Sequence, residues 1–576
     1  QFWERRIRRI LPALCVVLVF VLVTTWMFYL PEDFKQAGQS LLYQALMAAN
    51  FYFRGNGDYF APAAETKPLL HTWSLAVEEQ FYLFFPLLLT FLMRSRSSKW
   101  KHYILGITLG SFILGSVGAY SSHNYRSAFY LLPFRAWELL VGVLLAIYCP
   151  RPQVKRWVSE ASGLLGLGLI CMTMLAYNDH MHFPGPAALA PCLGAALIIF
   201  SSGSSPSIVG RLLSFPPFVF IGLVSYSLYL WHWPLLTLSQ YLSAHELSTS
   251  SRIQLLLLSF VLAVLSWKLI ETPFRRRQWL GERRQIFKFA GITTALFLAL
   301  ASTVWIFNGF PARFPAKALA YASTHMDNQT QDGYKKFHDQ AGTFQGNGWN
   351  FIEFGSDKVT QPISLLLYGD SHAAAAAPAL DLVCREASLR ALMPARRATP
   401  PAVKNSPTPY QPPSKRAPKV SEDIVDFVAE QHIKHVIFIC RWKLYGPLDE
   451  LRDDLVNSTR ALMAAGAQVI VFKGLPEHDS DVPRVAALTV LRKGDFDTLG
   501  TSEEQHRKAS APMDEIFAKL TEMGVTVVDP SDLFLNSSGN YRVIQNDKLL
   551  YHDNNHLTPA GAELLVPFFR SLVQKF

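Results

Sequence analysis

The stretch Ile363-Ser-Leu-Leu-Leu-Tyr-Gly-Asp-Ser-His372 decides the fold of the C-terminal part of this 576-residue chain. It begins with a short apolar run of strand length, and the alanine-rich segment after His372 favours a helix. Ser371 is therefore predicted at a strand-to-helix turn, where a hydroxyl is exposed. Free backbone N–H groups and the positive end of the helix can stabilise an oxyanion there. The backbone N–H of Ser371 is the oxyanion donor that this turn predicts.

A second motif, Asp553-Asn-Asn-His-Leu-Thr-Pro-Ala-Gly561, lies close to the C-terminus. Taken alone, Gly-Asp-Ser is usually an ordinary turn, and Asp-x-x-His is usually a solvated helix start capped by the aspartate. Together in one segment they predict a nucleophilic site. In it His556 deprotonates Ser371, and Asp553 fixes the tautomer of the imidazole.

Short β-rich runs alternate with amphipathic helix-like segments in this half of the chain, which predicts an α/β domain with a largely parallel sheet. The predicted strands are Ile363–Tyr368, His435–Cys440, Gln468–Phe472 and Val525–Val528. The segment from Pro394 to Pro418 is dense in Pro, Ser, Lys and Arg and predicts an exposed loop. Residues 310–355 show little periodicity and are interpreted as a linker.

Apolar runs about 20 residues long, the length of a membrane-spanning helix, crowd into residues 1–309 of a chain that is 50% hydrophobic. About nine spans are predicted, near residues 10–30, 73–94, 103–121, 128–149, 160–177, 187–202, 217–241, 254–273 and 287–308. The stretch from Phe34 to Phe53 has helical periodicity but keeps several polar residues. It predicts an interfacial or re-entrant helix.

The net charge of +10 would suggest nucleic-acid binding if it formed one patch on a soluble domain. Instead the basic residues bunch in short loops between apolar runs, which indicates membrane topology and no nucleic-acid partner. Basic clusters fall on one side of the bilayer if residues 34–53 do not cross it, and residues 310–576 then lie outside the cytoplasm. The clusters are Arg5–Arg9, Arg94–Lys101, Arg151–Arg156 and Arg275–Lys288.

Six cysteines occur without a CxxC or metal-like spacing, so the sequence predicts no metal site. Four of them lie in apolar runs, where a thiol behaves as a small hydrophobe. Only Cys384 and Cys440 lie in the predicted extracytoplasmic part. The sequence leaves open whether they are bridged or free.

The arginines at the start of the first apolar run lie at the predicted cytoplasmic helix end. There they could bind phosphate groups or serve only as a positive-inside anchor. These arginines are Arg5, Arg6, Arg8 and Arg9.

Ionisable groups inside spans are costly and are usually functional or paired. Glu78 and Glu79 are such groups. Arg135 and Glu138, one helical turn apart, form either a structural ion pair or part of a channel lining. His232 lies between two tryptophans and is interpreted as part of an interfacial aromatic belt.

The strand-borne Gly-Asp-Ser-His and the C-terminal Asp-x-x-His-Leu resemble the GDSL/SGNH hydrolases. The resemblance implies a flavodoxin-like α/β domain with Ser371, His556 and Asp553 as catalytic residues. That family adds a glycine and an asparagine to its oxyanion hole, and this sequence has no clear counterpart of either. The loops Arg441-Trp442 and Lys473-Gly474 follow predicted strands and are candidate donors. The candidates nearest the site are Gly369, Asp370, Arg441 and Trp442.

Five motifs in the membrane half resemble, in order, those of the acyltransferase family 3 proteins. They are Phe2–Pro12, His71–Tyr82, Phe134–Gly142, Ser225–Pro234 and Glu271–Arg275. The subgroup with a fused SGNH domain acetylates lipopolysaccharide O-antigen, peptidoglycan or other cell-surface glycans.

The resemblance implies acetyl-CoA as donor substrate, with no permanently bound cofactor. By family position it favours Arg5, Arg6 and Arg9 for binding the donor, with Glu79, Arg135 and Glu138 as further membrane-domain candidates. The family pattern begins with two helices ahead of the arginine motif. Both are absent here, so a truncated start is expected.

These observations predict a multi-pass inner-membrane O-acetyltransferase with a periplasmic C-terminal domain, O-antigen being the first choice of acceptor. The domains are predicted as 1–309 in the membrane, a linker at 310–355 and an SGNH domain at 356–576. One alternative is a membrane-anchored glycan O-acetylesterase, since water can also accept an acyl group from serine. Another is a non-catalytic glycan-binding or transport protein.

Overall fold

The structure is a computed structural model. It describes residues 1–56, 66–94, 99–121, 124–150, 154–178, 181, 183–203, 207–324, 337, 341–346, 349–356, 361–394, 417–445 and 447–576. Most of the loop predicted between Pro394 and Pro418, residues 395–416, lies outside this set. The chain forms two compact units. The first comprises Gln1–Leu242 with Leu247–Pro311, and the second comprises Ser243–Glu246 with Ala312–Phe576.

The first unit is helical throughout its described residues. Its α-helices are α1 (Phe2–Phe28), α2 (Pro31–Ala45), α3 (Ala49–Asn56), α4 (Thr72–Arg94), α5 (Trp100–Ala119), α6 (Tyr125–Tyr130), α7 (Leu132–Tyr148), α8 (Arg156–Ala176), α9 (Leu189–Ser201), α10 (Ile208–Leu213), α11 (Pro216–Leu242), α12 (Thr249–Ser266), α13 (Thr272–Arg275) and α14 (Arg283–Ile306). A 3₁₀ turn, Gly185–Ala188, leads into α9, and a π-helical turn, Trp267–Glu271, joins α12 to α13.

Eight helical segments of the described chain are long and apolar enough to cross a membrane. They are Phe2–Phe28, Thr72–Arg94, Trp100–Ala119, Tyr125–Tyr148, Arg156–Ala176, Pro216–Leu242, Thr249–Arg275 and Arg283–Ile306. A shorter apolar helix, Gly185–Ser201, occupies the place of the span predicted at 187–202. Large apolar side chains such as Leu175 and Phe91 are 88% and 70% exposed, as expected of surfaces that face lipid. The fold class predicted for this half, a multi-pass helical membrane domain, is confirmed.

The amphipathic stretch predicted as one helix from Phe34 to Phe53 forms two, α2 and α3. The break falls at Met47, whose φ of 52° is left-handed and ends helical geometry. Phe34 and Leu41 of α2 are buried, while Lys35 is ion-paired with Glu32 on the polar side. The alternation of apolar and polar residues was therefore interpreted correctly, but the break was not predicted.

The second unit is built on a seven-stranded sheet in the order β1-β2-β4-β3-β5-β6-β7. Its strands are β1 (Gly342–Gly346), β2 (Trp349–Gly355), β3 (Ile363–Gly369), β4 (Arg390–Pro394), β5 (His435–Ile439), β6 (Gln468–Phe472) and β7 (Thr526–Val528). Strands β4, β3, β5, β6 and β7 are parallel to one another and have the flavodoxin-like order, which confirms the predicted fold class. A separate antiparallel pair consists of β8 (Ile544–Gln545) and β9 (Lys548–Leu549).

Helices cover both faces of this sheet. They are α15 (Ala316–Ser323), α16 (Ser371–Glu386), α17 (Ala417–Glu430), α18 (Leu448–Ala464), α19 (Val482–Arg492), α20 (Glu503–Ser510), α21 (Asp514–Glu522), α22 (Pro559–Glu563) and α23 (Val566–Val573). Leu366 and Tyr368 of β3 pack into a core with α17, α18 and α21. Leu365 and Leu367 point to the opposite face because side chains alternate along a strand. Helix α16 packs there with α22 and α23.

One expectation for this unit needs correction. The predicted linker, residues 310–355, contains β1 and β2, which pair antiparallel with each other and join the sheet through β4. The sheet thus begins at Gly342 and not after residue 355, because Phe351 and Phe354 are buried in an antiparallel extension of the parallel strands. Cys384 and Cys440 are both buried free thiols. Burial raises the pKa of the Cys384 thiol to about 12.

Candidate active site

Ser371 lies at the carboxyl end of β3, at the point where the chain order reverses across the sheet. The chain leaves β3 to form β4 on one side and returns to form β5 on the other, and such switch points create crevices for ligands. Gly369 allows β3 and β5 to approach each other closely at this edge. A Cβ atom at Gly369 would lie 2.0 Å from the carbonyl oxygen of Ile439 on β5, so only glycine fits this close approach.

Hydrogen bonds to the carboxylate of Asp370 link the end of β3 to the end of β5. Its carboxylate accepts hydrogen bonds from the backbone N–H of His372 at 2.8 Å, the backbone N–H of Arg441 at 2.8 Å and the hydroxyl of Tyr445 at 2.7 Å. Burial raises the pKa of Tyr445, and Cys440 and Asp370 raise it further, so the phenol remains a donor. Asp370 therefore caps α16 and positions Ser371, and its oxygens are occupied by these contacts.

The three residues predicted as a triad meet at this edge. Nε2 of His556 lies 2.6 Å from Oγ of Ser371, and Nδ1 of His556 lies 2.5 Å from Oδ2 of Asp553. Because the carboxylate can only accept, Nδ1 carries the proton and Nε2 presents a lone pair to the serine hydroxyl. This is the geometry of a serine activated by a general base.

A compact loop between β9 and α22 holds the base. Oδ1 of Asp553 accepts the backbone N–H groups of Asn555 at 2.8 Å and His556 at 2.7 Å. Burial alone would raise the pKa of Asp553, but the hydrogen bonds from His556 and these amides outweigh it and lower the pKa far below its usual range. Asp553 is therefore ionised throughout the neutral range.

The helix that follows this loop is capped by Thr558 and not by Asp553. Oγ1 of Thr558 accepts the backbone N–H of Gly561 at 3.1 Å. A Cβ atom at Gly561 would lie 2.1 Å from the carbonyl oxygen of Leu550, so glycine is required here too. The ordinary interpretation of the Asp-x-x-His motif, an aspartate that caps a helix, does not describe this loop.

His372 is a site residue that the sequence analysis quoted in its motif but did not single out. It is 1% exposed, and its ring contacts that of His556 edge to face at 5.3 Å. Its Nε2 lies 3.0 Å from Oδ1 of Asn555. Burial lowers the pKa of His372 although the charge of Asp370 opposes the shift, so the imidazole is neutral. The position of this histidine directly after Ser371 was the sequence signal that could have identified it.

An open cleft adjoins His372 at this edge of the sheet. Its walls include Arg441, Lys443, Trp442, Lys473, Gly474 and Glu477. Nε and Nη2 of Arg441 lie 3.1 and 2.8 Å from one oxygen of Glu477. Burial raises the pKa of Glu477, but the hydrogen bond and charge of Arg441 have the larger combined effect and lower it.

Two candidate donors of the loop after β5, the backbone N–H of Arg441 and the indole N–H of Trp442, are engaged elsewhere. The backbone N–H of Arg441 is bonded to Asp370, and Nε1 of Trp442 donates to the carbonyl oxygen of Phe472 at 2.7 Å. Trp442 is 3% exposed and acts as part of the core. Ser371 is the first residue of α16, where backbone N–H groups have no intrahelical acceptor, so its amide remains the predicted donor.

Among the described residues, one group of neighbouring side chains offers atoms that could bind a metal ion. Nitrogen and oxygen atoms of His552, Asp553 and His556 lie within 4.8 Å of one another. Two of these residues already serve Ser371, so an ion bound there would compete with the hydrogen bond between His556 and the serine hydroxyl.

The arginines of α1 divide into two kinds. Arg8 is 2% exposed, and its guanidinium donates to the carbonyl oxygens of Leu280, Gly281 and Glu282 at 2.7, 2.9 and 3.2 Å. Its Nε also lies 3.1 Å from the buried carboxylate of Glu4. Arg5 and Arg9 are exposed. Arg8 is therefore a structural residue, and Arg5 and Arg9 keep accessible guanidinium groups.

Arg6 lies against α4. Its guanidinium carbon lies 3.4 Å from the ring centroid of Tyr82, and Nη1 lies 4.0 Å from a carboxylate oxygen of Glu78. The neighbouring Glu79 has one buried oxygen, Oε1, without a hydrogen-bond partner among the described residues. Residues of the first two membrane motifs thus form one charged cluster.

Arg135 and Glu138 form a bidentate ion pair, with both N–O distances 2.9 Å. The guanidinium of Arg135 also faces the ring of Trp73, 5.0 Å from its centroid. Trp73 precedes Tyr82 by nine residues of α4, which is roughly 13 Å along a helix axis. Arg135 therefore lies well away from Arg6, and the structural ion-pair interpretation describes its contacts.

His232 lies within the helix bundle. Its Nδ1 lies 2.8 Å from the carbonyl oxygen of Tyr229, and its ring centroid lies 5.6 Å from that of His71. His71 is 4% exposed. The interpretation of His232 as an interfacial belt residue misses this pairing of two histidines inside the bundle.

Comparisons with known proteins agree with the two halves of the structure. The sequence profile of an acyltransferase domain matches residues 1–270. The profile of an SGNH domain, of the kind fused to AT3 domains, matches residues 335–571.

The O-acetyltransferase OatA of Staphylococcus aureus is 30% identical over 292 residues, which cover 48% of this chain and 47% of the relative. The chain thus spans about half the length of this relative. The periplasmic domain of a lipopolysaccharide acetyltransferase from Salmonella ser. Paratyphi A is 16% identical, covers 37% of this chain and 84% of that structure, and has a TM-score of 0.32. The chain therefore carries an acyltransferase domain over residues 1–270, followed over residues 335–571 by an SGNH domain of the kind fused to AT3 domains.

Proposed function

We propose that this protein is an O-acetyltransferase that transfers acetyl from cytoplasmic acetyl-CoA to hydroxyl groups of a bacterial surface polysaccharide. The transfer passes through an acetyl ester on Ser371. The observation that carries the proposal is the Ser371–His556–Asp553 chain of hydrogen bonds in a domain fused to a membrane acyltransferase domain. The name of the OatA relative supports acetyl as the transferred group.

In the first half-reaction, Oγ of Ser371 attacks the carbonyl carbon of the acetyl group that the membrane domain supplies. His556 takes the serine proton at Nε2 and returns it to the leaving group. Asp553 stabilises the imidazolium through Nδ1, and the backbone N–H of Ser371 at the start of α16 stabilises the oxyanion. The bond between the acetyl carbonyl and its carrier in the membrane domain is broken, the carrier leaves with the proton, and an ester of Ser371 is formed. The thioester of acetyl-CoA is broken earlier, on the cytoplasmic side, when the membrane domain takes up the acetyl group.

In the second half-reaction, a sugar hydroxyl takes the place of the donor. Nε2 of His556 removes its proton while the sugar oxygen attacks the ester carbonyl, and the proton then passes to Oγ of Ser371 as it leaves. An O-acetylated sugar and free Ser371 result. The same ester would be hydrolysed if water attacked it, which is the esterase alternative.

The distribution of charge supports a crossing of the inner membrane. Basic loops favour the cytoplasmic side of a membrane, so in this proposal the start of α1 lies in the cytoplasm and the C-terminal unit lies in the periplasm. Exposed Arg5 and Arg9 are suited to bind the phosphates of acetyl-CoA at this end of the bundle. The acceptor glycan is O-antigen, or else peptidoglycan or exopolysaccharide.

The test is the O-acetyl content of purified lipopolysaccharide, peptidoglycan and exopolysaccharide after the chromosomal gene is replaced by the Ser371→Ala form. We expect acetyl to be lost from one polymer, which then names the acceptor. Ser538→Ala, at an exposed turn, is the matched control and retains acetylation. An increase in acetyl would favour the esterase. Unchanged acetylation with a normally produced variant would refute the serine relay.

A further inference from the structure

The cleft beside His372 carries more positive than negative charge. Arg441, Lys443 and Lys473 line it with a single carboxylate, that of Glu477. Arg441 is held by Glu477 through two close contacts. The excess charge therefore belongs to the two lysines.

Both lysines are only loosely paired. Nζ of Lys443 lies 3.8 Å from Glu477, and Nζ of Lys473 lies 3.7 Å from the exposed carboxylate of Asp514. These distances are longer than hydrogen bonds, and each lysine side chain is more than a third exposed. Two ammonium groups in one cleft with unused donors are suited to bind an anionic group.

His372 supplies the second, independent observation. Nδ2 of Asn555 donates to Oδ1 of Asn554 at 2.6 Å, which orients the amide so that its Oδ1 faces Nε2 of His372. Since that oxygen can only accept, Nε2 carries the proton, and Nδ1 of the neutral ring is an acceptor.

Nδ1 of His372 is buried and has no hydrogen-bond partner among the described residues. A buried acceptor left unpaired is destabilising, so such an atom points to a missing donor. A sugar hydroxyl is a donor of the right kind. Across the cleft, Gly474 adopts a φ of +143°, and a Cβ atom at Gly474 would meet nothing within 4 Å. The loop backbone there leaves open space.

We propose that this cleft binds an acidic sugar of the acceptor glycan, with its carboxylate or phosphate held by Lys443 and Lys473 and one of its hydroxyls donating to Nδ1 of His372. The inference rests on the proposed function and names its substrate class, a glycan that carries negative charge near the acetylated sugar. His372, which directly follows Ser371 in the chain, lines this cleft, so a sugar bound there has a neighbouring hydroxyl near the acetyl ester.

The experiment uses the whole chain in detergent micelles with p-nitrophenyl acetate as donor. The acceptors are neutral cello-oligosaccharides, the same chains oxidised to glucuronates, and the same chains phosphorylated. We expect a kcat/KM at least about tenfold higher for one or both charged acceptors than for the neutral one, as charge-assisted hydrogen bonds imply. The charged acceptor with the higher kcat/KM shows whether the cleft prefers a carboxylate or a phosphate.

The double variant Lys443→Gln/Lys473→Gln should lose this preference, measured as the ratio of charged to neutral acceptor within the same variant. Lys519→Gln, an exposed lysine of α21 outside the cleft lining, is the matched control and should keep the wild-type ratio. Equal rates for charged and neutral acceptors in the wild type would overturn the proposal. So would a preference that survives in the double variant.

His372→Phe tests the hydroxyl contact separately. It should raise KM for neutral and charged acceptors by a similar factor while leaving their ratio intact, and an unchanged KM would contradict the contact. Release of p-nitrophenol, the first step of the assay, distinguishes failure of this inference from failure of the proposed function. If p-nitrophenol release does not require Ser371, the serine relay itself fails. If release requires Ser371 but acceptor charge has no effect, only the acidic-sugar assignment fails.

Discussion

The Ser371 site and the arginine cluster of α1 both consist of motif residues, but their contacts differ in kind. At Ser371, one hydrogen-bond chain joins the hydroxyl, the imidazole and the carboxylate in the order that general-base catalysis needs. In α1, neighbouring arginines of one motif have opposite environments. Arg8 is buried against backbone carbonyls, while Arg9 is exposed. A motif therefore indicates which residues matter, and the contacts indicate whether each serves structure or chemistry.

The largest expected effect tests whether Ser371 and His556 depend on each other in catalysis. Ser371→Ala and His556→Ala should each lower kcat for acetyl transfer by at least about 10³-fold, because neither residue can act without the other. The double variant should be no slower than either single one. The measurement is p-nitrophenol release and acetyl-glycan formation by the purified chain. Independent, multiplicative losses would show that the two residues do not act as one unit.

Asp553→Asn should give the next largest effect. The amide can donate to Nδ1 of His556, which favours the wrong tautomer, and a loss of roughly 10²–10⁴ in kcat is expected with little change in KM. The backbone contacts of the loop also depend on Oδ1 of Asp553, so a thermal melt must accompany the kinetics. A variant with normal kcat would remove Asp553 from the mechanism.

Arg8→Ala and Arg9→Ala test the contrast within α1. Removing Arg8 leaves the carbonyl groups of residues 280–282 without this donor, so about 1–3 kcal/mol of stability should be lost, while Glu4 keeps its ion pair with Arg277. Size-exclusion profiles after heating in detergent would measure this. Arg9→Ala should keep wild-type stability and raise KM for acetyl-CoA. The same behaviour in both variants would erase the distinction between them.

The last expectation concerns acid stability. Burial, assisted by the charge of His506, lowers the pKa of His478 to about 3, and Nδ1 of His478 accepts the backbone N–H of Thr501. The folded state therefore binds fewer protons than the unfolded state below the ordinary histidine pKa. Stability is complete above about pH 6.5 and falls by at most about 1.4 kcal/mol per unit from there towards pH 3.

Thermal melts of the whole chain between pH 7 and 4 would measure this fall. His478→Gln should flatten the dependence, whereas His432→Asn, at an exposed position, should keep it. A wild-type slope that persists in His478→Gln would show that other groups control the acid response.

The sequence predicted the strand-borne site well because its signals are local. The apolar run that ends in Gly-Asp-Ser-His, with its helix, needs no knowledge of distant residues, and the fold class followed from the same alternation of strands and helices. Four strands of the parallel sheet and the apolar spans were expected for similar reasons. Periodicity and length are properties of a single segment.

The missed features depend on contacts between distant segments. Strands β1 and β2 were interpreted as linker because their burial arises only by pairing beside β4. Asn555 orients His372 across 183 positions of sequence, and Arg8 is buried only because the carbonyls of residues 280–282 fold onto it. Nothing within either motif distinguishes these roles. The hydrogen bond from Nε1 of Trp442 to the carbonyl oxygen of Phe472 was not predicted for the same reason.

The most direct test of the central claim is to look for the acetyl ester on Ser371. Membranes containing the whole chain would be incubated with isotopically labelled acetyl-CoA, quenched in acid, digested and analysed by mass spectrometry. The account predicts a labelled acetyl group on the peptide that carries Ser371, absent in Ser371→Ala and chased by added acceptor glycan. Acetylation of the glycan without any label on that peptide would contradict it.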